Sequence, residues 1–277
     1  MRDESGHEGH QDGGFQEDLR RLQSLLIARR RALALLGGGA VLAAAGSGLL
    51  FPRPARAGGR CIPDAPEIVG PYPADGTNQS QGVTNDILTE DGVVRSDIRR
   101  SFLTSTTKAK GMKVVLDLEV VNTNAGCTAE SSFAVYTWHC TRDGLYSLYT
   151  DPNESYLRGV QVSDDNGRLA FTTIFPGCYP GRWPHIHIEI FTSLSEATNG
   201  RNAILTTQLA LPRHICKEVY DNAQGYEASQ GSFADVSLKT DISFGDDTHA
   251  QLAVMTPDFK GNIHDGYHAT AALGLPV

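Results

Sequence analysis

The densest chemistry in this chain lies in Pro176-Gly177-Cys178-Tyr179-Pro180-Gly181-Arg182-Trp183-Pro184-His185-Ile186-His187. Two imidazoles stand two residues apart, just after a phenol and a guanidinium held in a Gly/Pro-rich bend. The alternation His-Ile-His-Ile-Glu-Ile predicts a strand from His185, and on a strand His185 and His187 share a face. Two imidazoles so arranged begin a metal site; the plainer reading is two ordinary histidines, one of them buried and hydrogen-bonded. Tyr179 adds an oxygen donor nearby. Tyr146, in Asp143-Gly144-Leu145-Tyr146-Ser147, reads by itself as a hairpin aromatic, and spacing alone does not bring it beside Tyr179.

Were two such phenols to join the two imidazoles, the set would carry a charge of −2 and suit ferric iron. Tyrosine ionises near pH ~10 when free, but a trivalent ion favours the phenolate outright. Oxygen anions also favour Fe(III) over Fe(II), so chemistry would start from the oxidised metal and activate a bound aromatic diol.

The elements that must position these groups read as strands. Lys113 to Val121 alternates as a half-buried strand, and Phe133 to His139 and Arg168 to Phe175 are rich in β-branched and aromatic residues. Asn166-Gly167 and Asp143-Gly144 are hairpin-turn signals. Asn199-Gly200 separates the His185–Phe191 strand from Ala203 to Leu211, and Val236 to Phe244 and Gln251 to Met255 are expected as further strands. Helix signals are short, as around Arg213 to Tyr220. The fold class is therefore all-β: a β-sandwich of mostly antiparallel strands with long loops, preceded by a cleavable signal segment.

In that segment Arg29-Arg30-Arg31 precedes a Gly-diluted apolar run from Ala32 to Pro52, followed by Ala55-Arg56-Ala57. Basic flank, apolar run and small-residue site read as a twin-arginine signal peptide over residues 1–57; the alternative is an uncleaved membrane anchor. Residues 58–105, rich in Gly, Pro, Asp and Ser, read as an extended N-terminal arm, and 106–277 as one β-sandwich domain. The formal net charge of −8 offers no basic surface for nucleic acid. The product is expected to be exported, periplasmic or extracellular, with no stable membrane insertion after cleavage. Five cysteines, Cys61, Cys127, Cys140, Cys178 and Cys216, predict one or two disulfides in an oxidising compartment, with at least one thiol left over.

Trp138-His139-Cys140 with Gly144-Leu145-Tyr146-Ser147, then Phe171 to Pro180, then Arg182-Trp183-Pro184-His185-Ile186-His187, resembles the intradiol ring-cleavage dioxygenases in order and spacing. Pro66-Glu67, Gly70-Pro71-Tyr72 and Arg95-Ser96-Asp97-Ile98 resemble the entry segment of that family's exported branch. Thr207-Gln208-Leu209 and Phe244-Gly245-Asp246-Asp247 carry the likeness toward the C-terminus, so it spans nearly all of the mature chain.

The resemblance implies that Tyr146, Tyr179, His185 and His187 bind a non-haem Fe(III). It makes Tyr179 the displaceable, base-like ligand and His187 its axial counterpart, with Tyr146 and His185 nearer the equatorial plane. Arg182 would stabilise negative charge building on the substrate ring, and Gln208 would lie near the substrate. The implied partners are a small dihydroxylated aromatic and O2, and the implied product is a muconate-type diacid. The long helical N-terminal region of the catechol-cleaving branch is missing, so its dimer is not assumed and assembly stays open. Cys178, beside Tyr179, is expected in a disulfide. His139, His214, His249, His264 and His268 are assigned no metal role. Two other classes compete: a non-enzymatic exported β-sandwich binding module with a relic metal site, and a zinc hydrolase or Fe(II) cupin built on the H-x-H pair.

Overall fold

The computed structural model describes residues 61–80 and 83–277; the expected signal segment, 1–57, lies outside the described residues. The strands are β1 (Asp75–Ser80), β2 (Val83–Asp86), β3 (Lys113–Asn122), β4 (Thr128–Ala129), β5 (Ala134–Trp138), β6 (Arg158–Val162), β7 (Arg168–Ile174), β8 (His185–Phe191), β9 (Leu205–Ala210), β10 (Asp258–Asn262) and β11 (Gly266–Leu275). Among the described residues, three α-helices, α1 (Arg213–Asn222), α2 (Glu227–Ala234) and α3 (His249–Val254), fall between β9 and β10. None of the described helices is long and apolar enough to cross a membrane.

Two sheets form the sandwich. One runs β6-β5-β8-β9, all antiparallel. The other runs β10-β11-β3, with β11 parallel to β3 along one edge and β7 and β4 both antiparallel to β3. Because β11 occupies one edge of β3 from Val114 to Asn122, β7 and β4 share the other. The core between the sheets takes Val114, Leu116, Leu118 and Val120 from β3 and Ile186, Ile188 and Ile190 from β8. Each such isoleucine contributes about 1.5–3 kcal/mol through burial.

β8 is buried along its whole length. Its isoleucines enter the sandwich core, so the period of two turns His185, His187 and Glu189 to the outer face of the four-stranded sheet. A second apolar cluster covers that face, with Ala134, Tyr136 and Trp138 of β5 packed against Tyr72, Ala74, Ile87, Leu88 and Tyr146. Residues 72–88 of the expected arm thus roof one sheet. Within the arm, β1 and β2 form an antiparallel pair, and Val94 and Asp97 make isolated parallel bridges to Val160 and Thr172.

Several expectations need correction. Val236–Phe244 is not a strand: it holds one 3-10 turn, Leu238–Thr240, and ends in a second, Phe244–Asp246. Gln251 to Met255 belongs to α3 and its cap. In both places a hydroxyl captures the start of a helical turn, Ser237 binding the Thr240 N–H and Thr248 the Gln251 N–H. The C-terminal strands lie later, in β10 and β11. Asn166-Gly167 does make a turn, with Gly167 at φ 74°. Its flanking strands are not paired as a hairpin, because β6 joins β5 in one sheet while β7 joins β3 in the other.

Candidate metal centre

The two phenols are carried by local bends and the two imidazoles by β8. In the Asp143-Gly144 bend, Thr141 N–H donates to the Leu145 carbonyl at 2.7 Å and Gly144 N–H to the Thr141 carbonyl at 3.1 Å. Gly144 sits at φ 81°, where a Cβ would come 3.2 Å from Tyr179 Cβ, so its lack of a side chain lets the bend lie on Tyr179. Tyr146 N–H is fixed by Thr150 Oγ1 at 2.7 Å. Tyr179 lies four residues before Trp183, whose indole N–H anchors on the Leu211 carbonyl at 3.0 Å.

The structure brings all four side chains together. Tyr146 Oη lies 3.1 Å from Tyr179 Oη, 3.5 Å from His185 Nε2 and 3.4 Å from His187 Nε2. Tyr179 Oη is 3.3 Å from His185 Nε2, and the two imidazole Nε2 atoms are 3.1 Å apart. Donor atoms 3.1–3.5 Å apart are spaced as ligands of one first-row metal ion would be, with bonds of about 2 Å.

The chemistry of the donors agrees with this geometry. His185 Nδ1 faces the Trp183 carbonyl at 2.5 Å and must donate to it, leaving the lone pair on Nε2. His187 stacks on Trp138, ring centroids 4.5 Å apart and 5° from parallel, and its Nδ1 is buried without a hydrogen-bond partner. Burial lowers the pKa of both imidazoles well below the ordinary range, with Arg182 adding to the effect at His185 and His185 adding to it at His187. Both are therefore neutral, the form that ligates metal.

Burial pushes both phenols upward; the neighbouring Tyr179 adds to this at Tyr146, whereas the Arg182 charge opposes it at Tyr179. Their ionisation thus requires a cation at the centre of the cluster. Among the described residues, no group of three or more His, Cys, Asp or Glu is arranged to hold a metal, so this set depends on its two phenols.

Arg182 is 1% exposed. Its Nε donates to Asp241 Oδ2 at 3.0 Å and its Nη2 to Gln208 Oε1 at 2.6 Å. Gln208 stands opposite His187 in the β8–β9 register, and its Nε2 donates to the Ile68 carbonyl of the arm at 2.7 Å. Burial opposes the charge of Asp241, but Arg182, the Trp183 N–H and His185 together outweigh it, and the carboxyl titrates below its ordinary value. Arg182 remains cationic within electrostatic reach of both phenols.

The other described histidines stay outside the cluster. His139 is held between the Cys140 carbonyl and Thr173 Oγ1, at 2.8 and 2.6 Å. His214, His249, His264 and His268 are exposed. Cys178 is not in a disulfide. The single described disulfide joins Cys61 to Cys127, and Cys140, Cys178 and Cys216 are buried thiols. The Cys178 thiol instead points at the Arg182 carbonyl, 3.6 Å away, in the bend that carries Tyr179.

Reading the sequence missed Asp241, because it lies in the stretch expected as a strand, 59 positions beyond Arg182. It also missed Gly70, at φ 77°, where a Cβ would stand 3.2 Å from His187 Cε1. The Gly-Pro dipeptide at 70–71 was the available signal for a special backbone there.

No family model and no curated protein matches the sequence. Solved structures do match. An intradiol ring-cleavage dioxygenase from Tetranychus urticae aligns over 78% of this chain and 96% of its own, with TM-score 0.58 and 21% identity. A second solved dioxygenase aligns over the same shares, with TM-score 0.56 and 22% identity. The described chain therefore has the β-sandwich fold seen in intradiol ring-cleavage dioxygenases.

Proposed function

We propose that this chain is an exported, non-haem iron(III) dioxygenase that opens the ring of a small catechol-type substrate between its two hydroxylated carbons. The observation that carries this reading is the convergence of Tyr146, Tyr179, His185 and His187, with donor atoms 3.1–3.5 Å apart, beneath the arm. These four side chains would hold the metal. Bound iron(III) would supply Lewis acidity toward both catechol oxygens and render the ring reactive toward dioxygen.

The protein's own groups then divide the remaining work. Tyr179 is half-buried while Tyr146 is 3% exposed, which supports Tyr179 as the phenol that yields to an entering diol and takes its hydroxyl proton at Oη. Tyr146, enclosed and fixed at its backbone, stays. Arg182 would stabilise negative charge spreading over the ring, as a buried and pre-oriented cation does most strongly. Gln208 and Asp241 hold the guanidinium plane. Both atoms of dioxygen finish in the two carboxyl groups of a muconate-type diacid, so the stoichiometry needs no outside reductant.

Export through the twin-arginine route belongs to the same proposal. The Cys61–Cys127 disulfide supports it, since such bonds persist in oxidising compartments. The test is oxygen uptake by iron-loaded protein across catechol, protocatechuate, hydroxyquinol and a lignin-derived diol, with each product identified. Equimolar consumption of O2 and diol with a ring-opened diacid supports the proposal. No uptake across the panel, or a product cleaved outside the two hydroxylated carbons, contradicts it.

A further inference from the structure

Arg158 begins β6 opposite Trp138 and is 0% exposed. A buried guanidinium is costly unless its charge and all its donors are matched. Here every one of its five N–H groups meets a neutral oxygen. Nε reaches Ser147 Oγ at 2.9 Å. Nη1 reaches the Pro73 carbonyl at 2.9 Å and Tyr136 Oη at 3.2 Å. Nη2 reaches the carbonyls of Tyr72 and Ser147, both at 2.9 Å. That completes the donor inventory of an arginine. Two acceptors are themselves tied in, Tyr136 Oη donating to the Pro73 carbonyl and Ser147 Oγ to the Tyr156 carbonyl, each at 2.7 Å.

The acceptors come from three places that otherwise have no covalent reason to stay together: the arm at 72–73, the residue directly after Tyr146, and β5. The Tyr72 ring lies against that of Tyr146, centroids 5.2 Å apart, and Gly70, two residues earlier, fits against the His187 ring. We infer that Arg158 is a positioning residue for the metal centre: its planar fork clamps the arm to the backbone that carries Tyr146, and so sets where the Tyr146 oxygen and the roof over His187 lie. The inference rests on the reading of Tyr146 as a ligand. It assigns the work to geometry rather than charge. A lysine, with three donors on a flexible stem, keeps the charge and loses the clamp.

The experiment compares wild type, Arg158→Lys and Ser147→Ala by ferric ion titration and by the position of the visible phenolate-to-iron band, with circular dichroism and thermal unfolding as the check on folding. Folded Arg158→Lys is expected to bind iron about ten- to a hundredfold more weakly, the scale for loss of a group that orients a ligand, and to show a displaced band. Ser147→Ala removes one acceptor and should move the band in the same direction by less. A wild type that takes up no coloured iron would defeat the reading of the centre itself. A coloured wild type whose folded Arg158→Lys variant matches it in affinity and band position overturns the role of Arg158. If Arg158→Lys does not fold, Ser147→Ala decides: a displaced band supports the clamp and an unchanged one overturns it.

Discussion

Asp241→Asn is the sharpest perturbation of the scaffold around the site, because the wild-type carboxylate accepts four N–H bonds. Oδ2 takes Arg182 Nε at 3.0 Å and Trp183 N–H at 2.6 Å, while Oδ1 takes Ser243 N–H at 2.8 Å and Phe244 N–H at 3.2 Å. An asparagine has one oxygen and one NH2 group, so either orientation of its amide turns two hydrogens toward two other donors. The side chains of both Arg182 and Asp241 are essentially inaccessible, at 1% and 0%, so the orphaned guanidinium has no water to retreat to. Breaking such a pair from one side costs about 3–5 kcal/mol, a large share of the ~5–15 kcal/mol that stabilises an ordinary domain.

The pH dependence fixes the sign. Asp241 titrates below the ordinary aspartate value of 3.8 when folded, so its contribution is complete above that value and is lost as pH falls through the lower folded one. Urea unfolding followed by tryptophan fluorescence should show a lower midpoint for Asp241→Asn at pH 7, with the gap narrowing once pH drops below 3.8. Coincident midpoints at pH 7, or a gap that persists unchanged in acid, would refute the reasoning.

Gly70→Ala should cost about 1–2 kcal/mol for a side chain at positive φ and also weaken ferric binding by pressing on His187; a variant with wild-type iron affinity would detach the arm from the centre. Cys61→Ser opens a disulfide that closes a 66-residue separation, worth about 4 kcal/mol by chain entropy. Its melting temperature should fall to that of the reduced wild type, and equal melting points of oxidised and reduced protein would count against it. Gln208→Leu leaves Arg182 Nη2 and the Ile68 carbonyl without their partner, at about 1–3 kcal/mol for the unpaired groups. Iron content should be kept while kcat/KM falls; a fall in bound iron instead would move Gln208 from the substrate side to the metal side.

Strands were legible where side chains alternate sharply. β8 is the clearest case, because isoleucines facing one core and histidines facing another leave a strict period of two. β11 was not, since its Ala-Thr-Ala-Ala-Leu-Gly run has little strand preference of its own and owes its conformation to β3 and β10 on either side. The stretch around Val236–Phe244 misled because hydroxyl caps and the Asp241 carboxylate, not its apolar residues, decide the backbone there. At the site, the shared face of His185 and His187 followed from strand geometry alone. Tyr146 came only through resemblance, for nothing local says that a turn 33 residues before Tyr179 folds onto it. Arg158 left no local mark, since its partners lie 11 to 86 positions away, and the ties from Asp241 to Arg182 and Trp183 span 59 and 58 positions.

The central claim is that two phenols and two imidazoles form one ferric site. Its most direct test is titration of the metal-free protein with Fe(III), following the visible spectrum in wild type and in Tyr146→Phe. The account predicts one equivalent of iron with an intense phenolate-to-iron band in wild type, and loss of most of that band in the variant. A wild type that binds iron without the band, or a Tyr146→Phe variant that keeps the band unchanged, would contradict it.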